Sequence, residues 1–293
     1  MLYDIRHVTR FDYAEPVGFA RCNLRLKPIV WSGQELHDYT LSVEPGGRTS
    51  PARAEAGLAN VVRLVVEQAS TSLTIESRCR ITVDRPIPVP SASDPTLGEV
   101  ARWARESRDA GPASPAAYLF PSPLLPLNKE IADWCAEDLD PSRGALEAAI
   151  ALAQRIQREF AFDPTATLVD NTPYDALVKR GGVCQDFAQI MISGLRAAGL
   201  PAAYASGYLR TLPPPGQPRL VGADATHAWV LLWCGPQLGW VGVDPTNGIW
   251  MANDHVIVAI GRDYADIAPV DGVVLGYGAQ NMKVSVDVEP LES

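Results

Sequence analysis

Apolar and polar residues alternate along most of the first 84 positions. Tyr3, Ile5 and Phe11 fall on one face of the first stretch, and a side-chain period of two is typical of a half-buried β-strand. Further stretches repeat the alternation, at residues 22–26, 37–43 and 73–83. Turn formers such as Pro45-Gly46-Gly47 separate them. The pattern predicts an antiparallel, sandwich-like β domain over residues 1–88.

The pattern changes at residues 85–91, where three prolines interrupt it and indicate a linker. Asp94-Pro95 and Asp140-Pro141 each place a capping residue before a proline, which predicts a helix start at both. Residues 184–198 predict a helix that ends at Gly199. Strands are then predicted at residues 202–209, 227–233, 240–244, 255–260 and 282–288. A helix followed by consecutive strands predicts an α+β fold, with residues 89–293 as a helical segment plus a second domain.

Charge and composition narrow the classes of partner. The 293 residues are 47% hydrophobic and carry a net charge of -9, which argues against nucleic acid or an anionic membrane as the main partner. The N-terminus MLYDIRHVTRFDY lacks a basic segment followed by an apolar one, so we expect no signal peptide. The apolar runs are too short to span a bilayer.

Cysteine and histidine usage bears on compartment and metal binding. Five scattered cysteines suggest free thiols in a reducing compartment, and we therefore expect a cytoplasmic location. No CxxC or HExxH spacing occurs among them and the four histidines, so we expect no metal and no cofactor. The sequence leaves the oligomeric state open.

Cys184 is the first candidate for chemistry. It follows Gly181-Gly182-Val183 and stands at the predicted start of a helix. Unpaired backbone N–H groups and the positive end of the helix dipole favour a thiolate there, and the thiolate is the nucleophilic form. The same N–H groups could hold the oxyanion of a tetrahedral intermediate. The alternative is a buried structural cysteine, which is the commoner fate of a free thiol.

His227 and Asp244 are the candidates for base and orienting group. His227 opens a predicted strand, and histidine is the side chain best suited to take a thiol proton near neutral pH. Asp244 ends the next strand before Pro245, where its carboxylate could fix the imidazole tautomer. Taken alone, His227 could be a structural histidine and Asp244 the cap of a turn. Together, the three offer a nucleophile, a base and an orienting group for covalent acyl transfer.

The segments around these residues resemble the core of bacterial transglutaminase-like proteins. The resemblance lies in residues 182–188 (GVCQDFA), 206–209 (SGYL), 224–229 (DATHAW) and 239–247 (GWVGVDPTN). Residues 254–255 and 261–266 are also similar, and Tyr3, His7, Thr9 and Pro16-Val17 resemble the β-rich N-terminal region of that family. The resemblance implies a papain-like fold and a Cys-His-Asp triad at Cys184, His227 and Asp244. It further implies a thioester intermediate, which water or an amine resolves.

Several residues near the triad are candidates for substrate contact. They are Gln185, Tyr208, Asp224 and Trp229. For Tyr208 and Trp229 we favour packing in the core or the groove wall over substrate contact, because aromatic side chains on strands usually pack. Residues 211–223, which are rich in proline and glycine, are the candidate lid or specificity loop.

Three functions fit these residues. The first is hydrolysis of a peptide or amide substrate by a cysteine peptidase or amidase, which we favour. The second is transfer of the acyl group to an amine, as in a protein-glutamine transglutaminase. The third is a non-catalytic binding module on the same fold. A metal site formed by Asp224, His227, Asp254 and His255 lacks any recognised ligand spacing and ranks last.

Overall fold

Six strands occupy the first third of the chain in the computed structural model, which describes residues 1–163, 172–211 and 225–291. They are β1 (Leu2–Val17), β2 (Phe19–Lys27), β3 (Gln34–Glu44), β4 (Arg48–Ala52), β5 (Leu58–Val66) and β6 (Ser70–Val83). Every second side chain is buried along much of β1 and β6. The predicted alternation is therefore confirmed for these two strands.

Helices follow the linker. They are α1 (Leu97–Glu106), a short 3-10 helix (Pro115–Tyr118), α2 (Lys129–Cys135) and α3 (Ala145–Glu159).

 Helix α3 ends at Glu159, with Phe160 as its C-cap. The predicted helix starts at Asp94-Pro95 and Asp140-Pro141 are wrong by several residues. Thr96 caps α1 and forms a reciprocal capping box with Glu99, whereas Asp140 accepts the Ser142 N–H in a turn before α3.

The remaining elements form the second half of the fold. They are β7 (Ala161–Phe162), α4 (Pro173–Lys179), β8 (Gly181–Gly182), α5 (Cys184–Ala197), β9 (Ala202–Leu209), β10 (Ala225–Trp233), β11 (Trp240–Asp244), β12 (Ile249–Trp250), β13 (His255–Gly261), α6 (Tyr264–Ile267), β14 (Val270–Leu275) and β15 (Gln280–Leu291). Helix α5 ends as predicted, because Gly199 adopts a positive φ of 76° and its N–H bonds the Arg196 carbonyl. Among the described residues no helix is long and apolar enough to cross a membrane.

Two antiparallel sheets organise the strands. The first has the order β15-β1-β6-β3, and the second has the order β12-β11-β10-β9-β13-β5-β2-β14, with β4 paired to β5. Strand β9 lies between β10 and β13, so that Gly207 is opposite His227 on one side and Ile257 on the other. The strands that carry His227 and His255 are therefore both neighbours of β9, although they are separated in sequence.

Three layers result from the packing of these sheets and helices. Side chains of α1, α2, α3 and α5 form one core with Ala228, Val230 and Leu232 of β10. On another face of the second sheet, Tyr208 of β9 and Val256 of β13 pack against β1, β6 and β15. The predicted α+β class, with a β-sandwich next to a papain-like core, is confirmed.

Strands from both sides of the linker share each sheet. Strand β1 pairs with β15 along its length, β5 pairs with the end of β13, and β2 pairs with β14. The division into residues 1–88 and 89–293 stays a prediction about folding units, and the hydrogen bonding of both sheets crosses it.

Candidate active site

Cys184 is the first residue of α5 and is half-buried, whereas the other four cysteines are buried. The helix start is fixed by Asp186, whose Oδ2 accepts the Val183 N–H at 2.8 Å. Gly182 is required here, because a Cβ at this position would lie 2.4 Å from Asp186 Oδ2. The first N–H groups of a helix have no intrahelical partner. The thiol therefore lies beside donors that can stabilise negative charge.

The segment before Cys184 is held by a short parallel pair of strands. Residues Ala161 and Phe162 of β7 pair with Gly181 and Gly182 of β8. Arg180, just before β8, adopts a left-handed conformation with φ of 52°, which costs a non-glycine residue free energy. Its guanidinium lies 5.1 Å from the ring centroids of both Trp134 and Phe160. These contacts help to hold the strained turn that leads to Cys184.

His227 and Asp244 meet as the sequence predicts. The His227 Nε2 lies 2.9 Å from Asp244 Oδ2, and the two side chains are 8% and 0% exposed. Cys184 lies close enough to the same imidazole to raise its pKa. Because Nε2 is engaged by Asp244, the ring nitrogen available to the thiol is Nδ1. The imidazole thus lies between a thiol and a carboxylate, as acyl transfer through a thioester requires.

Gly207 allows β9 and its neighbours β10 and β13 to pack closely beside the histidines. A Cβ at Gly207 would lie 1.9 Å from the Val256 carbonyl oxygen and 2.8 Å from the Trp229 ring. Trp229 is wholly buried and lies between two histidines, stacked on His227 at 6.0 Å and edge-on to His255 at 5.2 Å. The absent side chain at residue 207 therefore makes room for the indole that supports both imidazoles.

Asp244 accepts hydrogen bonds on both carboxylate oxygens. Backbone N–H groups of Thr246 and Asn247 bond Oδ1 at 2.9 and 3.3 Å. The side chains of His227, His255 and Asn247 all bond Oδ2, at 2.9, 3.2 and 2.6 Å. A carboxylate that accepts this many hydrogen bonds is held in one orientation and stays ionised.

The charges of His227 and Asp244 follow from these contacts. Burial acts to raise the pKa of Asp244, but the hydrogen bonds from His227 and His255 outweigh it and hold that pKa well below its usual range. Burial acts to lower the pKa of His227, but its hydrogen bond to Asp244 and its proximity to Cys184 outweigh that effect and raise the pKa. The site therefore favours an imidazolium next to an ionised carboxylate.

The cluster of His227, Asp244 and His255 also contains the donor atoms of a metal site, all within 4.8 Å of one another. The hydrogen bonds are inconsistent with ligation, however. An ionised carboxylate only accepts, so both Nε2 atoms facing Asp244 carry protons and have no free lone pair for a metal. We therefore interpret the cluster as a proton-transfer site.

The predicted substrate contacts divide into three groups. Gln185 follows the nucleophile and is half-buried. Tyr208 and Trp229 are 2% and 0% exposed, with Tyr208 bonded to His7 at 3.1 Å and the Trp229 N–H directed at Met251 Sδ. Their burial argues against substrate contact, and we reassign both to packing. Asp224 and most of the candidate lid at residues 211–223 lie outside the described residues.

Sequence reasoning did not assign His255 and Arg85 to the site. The sequence analysis considered His255 only for the metal site that ranked last, although it follows Asp254 within a segment that carries the family resemblance. Arg85 lies in the stretch interpreted as a linker, yet its guanidinium is buried and donates to the His255 carbonyl at 2.6 Å. A lone arginine among linker prolines was the only sequence signal for this contact.

Family models match two parts of the chain. Residues 129–245 match the transglutaminase-like superfamily, and residues 3–82 match the bacterial transglutaminase-like N-terminal region. Cys184, His227 and Asp244 all lie within the first match. The two matches lie on the two sides of the linker.

Individual proteins give a consistent result. An uncharacterized protein from Mycobacterium tuberculosis is 33% identical over 99% of this chain and 93% of its own length. A protein-glutamine gamma-glutamyltransferase from Pseudomonas aeruginosa is 37% identical over 38% of this chain and 17% of its own length. A solved structure described as "a Putative Cysteine Protease" from Cytophaga hutchinsonii has a TM-score of 0.73 at 20% identity, and the match covers 100% of this chain and 92% of that one. At that identity the structural likeness supports the fold alone.

Proposed function

The chain belongs to the transglutaminase-like superfamily, and on that premise we propose that it breaks amide bonds by thiol catalysis. Family membership supports thiol-dependent catalysis in general. The observation that carries the specific proposal is the position of His227 between Cys184 and Asp244. In this proposal Cys184 is the nucleophile, His227 the acid and base, and Asp244 the group that orients the imidazole.

The reaction has two halves. The Cys184 thiolate attacks the amide carbonyl carbon, and the N–H groups at the start of α5 stabilise the oxyanion. The C–N bond then breaks as His227 donates its Nδ1 proton to the departing amine nitrogen, which leaves a thioester. Water attacks the thioester while His227 takes one of its protons, the C–S bond breaks, and the carboxylic acid and thiolate are released.

The proposed reaction is hydrolysis of a peptide or amide. An amine in place of water would give transamidation, and the similarity to a protein-glutamine gamma-glutamyltransferase over 38% of the chain favours keeping this second candidate. The two reactions share every step up to the thioester.

A cytoplasmic location also stays a prediction.

The first test measures the nucleophile directly. We expect iodoacetamide to modify Cys184 faster than any other cysteine below about pH 7, because the thiolate–imidazolium pair supplies the reactive form. The buried Cys234, at 0% exposure, is the internal control for global unfolding. Peptide mass spectrometry gives the rate at each cysteine in wild type and in His227→Ala. A Cys184 that reacts no faster than Cys234, or a rate unchanged by His227→Ala, would contradict the triad.

The second test separates hydrolysis from transfer. The protein is incubated with casein and a fluorescent primary amine, and the products are examined by mass spectrometry. Cleaved peptides or glutamine side chains converted to glutamate support hydrolysis, whereas incorporated amine supports transamidation. Both products should disappear in Cys184→Ala, whose circular dichroism should match wild type. Turnover retained in Cys184→Ala would rule out the mechanism.

A further inference from the structure

Two imidazoles converge on one oxygen of Asp244. The Nε2 atoms of His227 and His255 lie 2.9 and 3.2 Å from Oδ2, and the ring centroids are 6.2 Å apart. His255 is 1% exposed. The proposed mechanism needs only one base, so it does not explain why a second imidazole, that of His255, is present. A buried polar ring of this kind needs hydrogen-bond partners for its nitrogen atoms.

The two rings differ at Nδ1. The Ala252 N–H donates to His255 Nδ1 at 3.3 Å, so this nitrogen holds a lone pair and the ring proton is on Nε2. A second proton on His255 would place two donors, Nδ1–H and the Ala252 N–H, against each other. In His227 the corresponding nitrogen is available to the thiol of Cys184. The ring of His227 can therefore gain and lose a proton, whereas the contacts of His255 favour one neutral tautomer.

The turn that supplies the Ala252 N–H is fixed by Arg85. The Arg85 guanidinium donates to the backbone carbonyls of His255 at 2.6 Å and Ala252 at 3.4 Å. The backbone N–H of Arg85 donates to Asn253 Oδ1 at 2.8 Å. A third guanidinium contact, 2.7 Å long, reaches Gln34 Oε1. The segment between the two halves of the chain thus fixes the backbone that sets the His255 tautomer.

Charges of both signs lie close to His255. The ionised Asp244 and His227 lie against its ring from β11 and β10, and Arg85 contacts its backbone. A positive charge at His255 would be attracted by Asp244 but opposed by the cations at Arg85 and His227. The imidazolium of His227 already balances the single negative charge of Asp244.

We propose that His255 is a positioning residue, a neutral imidazole whose Nε2–H holds Asp244 Oδ2 and leaves His227 to carry the transferred proton. This role rests on the proposed function of Cys184, His227 and Asp244. Without the donor, Asp244 loses one of its five hydrogen bonds, and the orientation of the imidazolium next to the thiolate becomes less restricted. His255 itself does not contact the reacting atoms.

The first experiment observes the tautomer. Histidine ring ¹⁵N shifts distinguish the two neutral tautomers from the imidazolium, and they are recorded near neutral pH on the full-length protein labelled with ¹⁵N-histidine. We expect His255 to show the Nε2–H tautomer, because the Ala252 N–H donates to its Nδ1. The exposed His37 provides the reference signal. An Nδ1–H tautomer or an imidazolium at His255 would overturn the proposal whatever Cys184 does.

The second experiment compares two substitutions. His255→Phe keeps the ring shape but removes the donor, whereas His255→Gln keeps an N–H that can reach Oδ2. We expect His255→Phe to slow Cys184 alkylation near neutral pH by about tenfold to a hundredfold, the worth of one hydrogen bond to a charged group. His255→Gln should recover most of the wild-type rate and its pH profile, and His37→Phe should alter neither.

The outcomes separate the two hypotheses. If Cys184 is not selectively reactive in wild type, or if His227→Ala has no effect, the proposed function fails and the ring ¹⁵N shifts alone decide whether His255 is a fixed donor. If His227→Ala slows alkylation but His255→Phe does not, the triad stands and the positioning role is wrong. Equal losses in His255→Phe and His255→Gln would indicate a packing role and would also overturn the proposal.

Discussion

Asp244 combines more interactions than any other residue of the site. It orients His227, accepts from His255 and Asn247, and caps the turn through the Thr246 and Asn247 N–H groups. Its carboxylate therefore supports the folded state and, in the proposed mechanism, the chemistry as well. Removing the charge should affect both.

Asp244→Asn should lower the free energy of unfolding by about 3–5 kcal/mol near neutral pH, because it leaves buried donors without their acceptor. The lowered pKa of Asp244 makes its stabilisation full above about pH 4 and lost as pH falls through the folded pKa. The raised pKa of His227 makes its contribution full below about pH 6.5 and lost as pH rises through the folded pKa. Urea denaturation against pH measures the difference from wild type.

The control for this substitution is Asp4→Asn, which removes a carboxylate paired with Arg80 at the surface. An exposed pair contributes little to stability. If Asp244→Asn is no more destabilising than Asp4→Asn, or if its effect is the same at every pH, the described charge state of the His227–Asp244 pair is wrong.

At the residue scale the sequence predicted the meeting of His227 and Asp244, because each stands at the boundary of an element and carries a motif. It favoured packing for Tyr208 and Trp229 but kept both as candidates for substrate contact. Both lie on strands covered on each face, where period-two alternation cannot tell a packing side from a substrate side. His255 was missed for another reason. Its neighbour in space, β9, is distant in sequence, and only strand pairing brings them together.

The contact between β1 and β9 depends on a buried histidine. His7 of β1 is 1% exposed and bonds Tyr208 of β9 and Thr9, at 3.1 and 2.9 Å. Burial lowers the pKa of His7 to about 4. The N-terminal strands are thus joined to the strand beside His227 through a polar group that must stay neutral.

Between about pH 6.5 and pH 4 the unfolded chain binds a proton at His7 that the folded chain excludes. The stabilisation by the neutral ring is therefore full above about pH 6.5 and lost as pH falls towards the folded pKa, by up to about 3 kcal/mol. His7→Gln should flatten this part of the stability profile, and His37→Gln, at an exposed position, should not. Thermal denaturation at several pH values between about 4 and 6.5 tests this prediction. If stability falls with pH as steeply in His7→Gln as in wild type, His7 is not the group responsible.

Helix and strand positions were more predictable than their partners. The end of α5 at Gly199 followed from local chemistry, whereas the starts of α1 and α3 did not, because Asp-Pro pairs also occur in turns that precede a helix. The pairing of β5 with β13 and of β2 with β14 had no local signal. Contacts of this kind depend on the whole chain.

At the scale of the molecule, strands from the N-terminal region and from the rest of the chain pair within the same sheet. Strand β13 pairs with β9 on one side and, at Ala259 and Ile260, with β5 on the other. Gln34 continues that edge, since its side-chain amide accepts the Ile257 N–H at 3.0 Å and donates to the Ile257 carbonyl at 2.8 Å. The strand that carries His255 therefore has its outer edge covered by residues of the N-terminal region.

A fragment of residues 89–293 should not fold alone, because it exposes the edge of β13 and the apolar side chains of β9 and β13 that face β1 and β6. We expect no cooperative transition by calorimetry, and strong binding of a hydrophobic dye. The full-length chain, purified in the same way, is the control. A cooperative transition in the fragment, with fast alkylation of Cys184, would instead support two independent domains divided near residue 88.

The pairing of β1 with β15 runs from Leu2 opposite Leu291 to Tyr13 opposite Gln280. During translation, β1 is synthesised well before β15, its pairing partner. Until residues 280–291 leave the ribosome, β1 has an open edge on the nascent chain, and an open edge can pair with other chains. Synthesis of this protein therefore includes a period in which a chaperone that covers extended segments would increase the yield of folded chains.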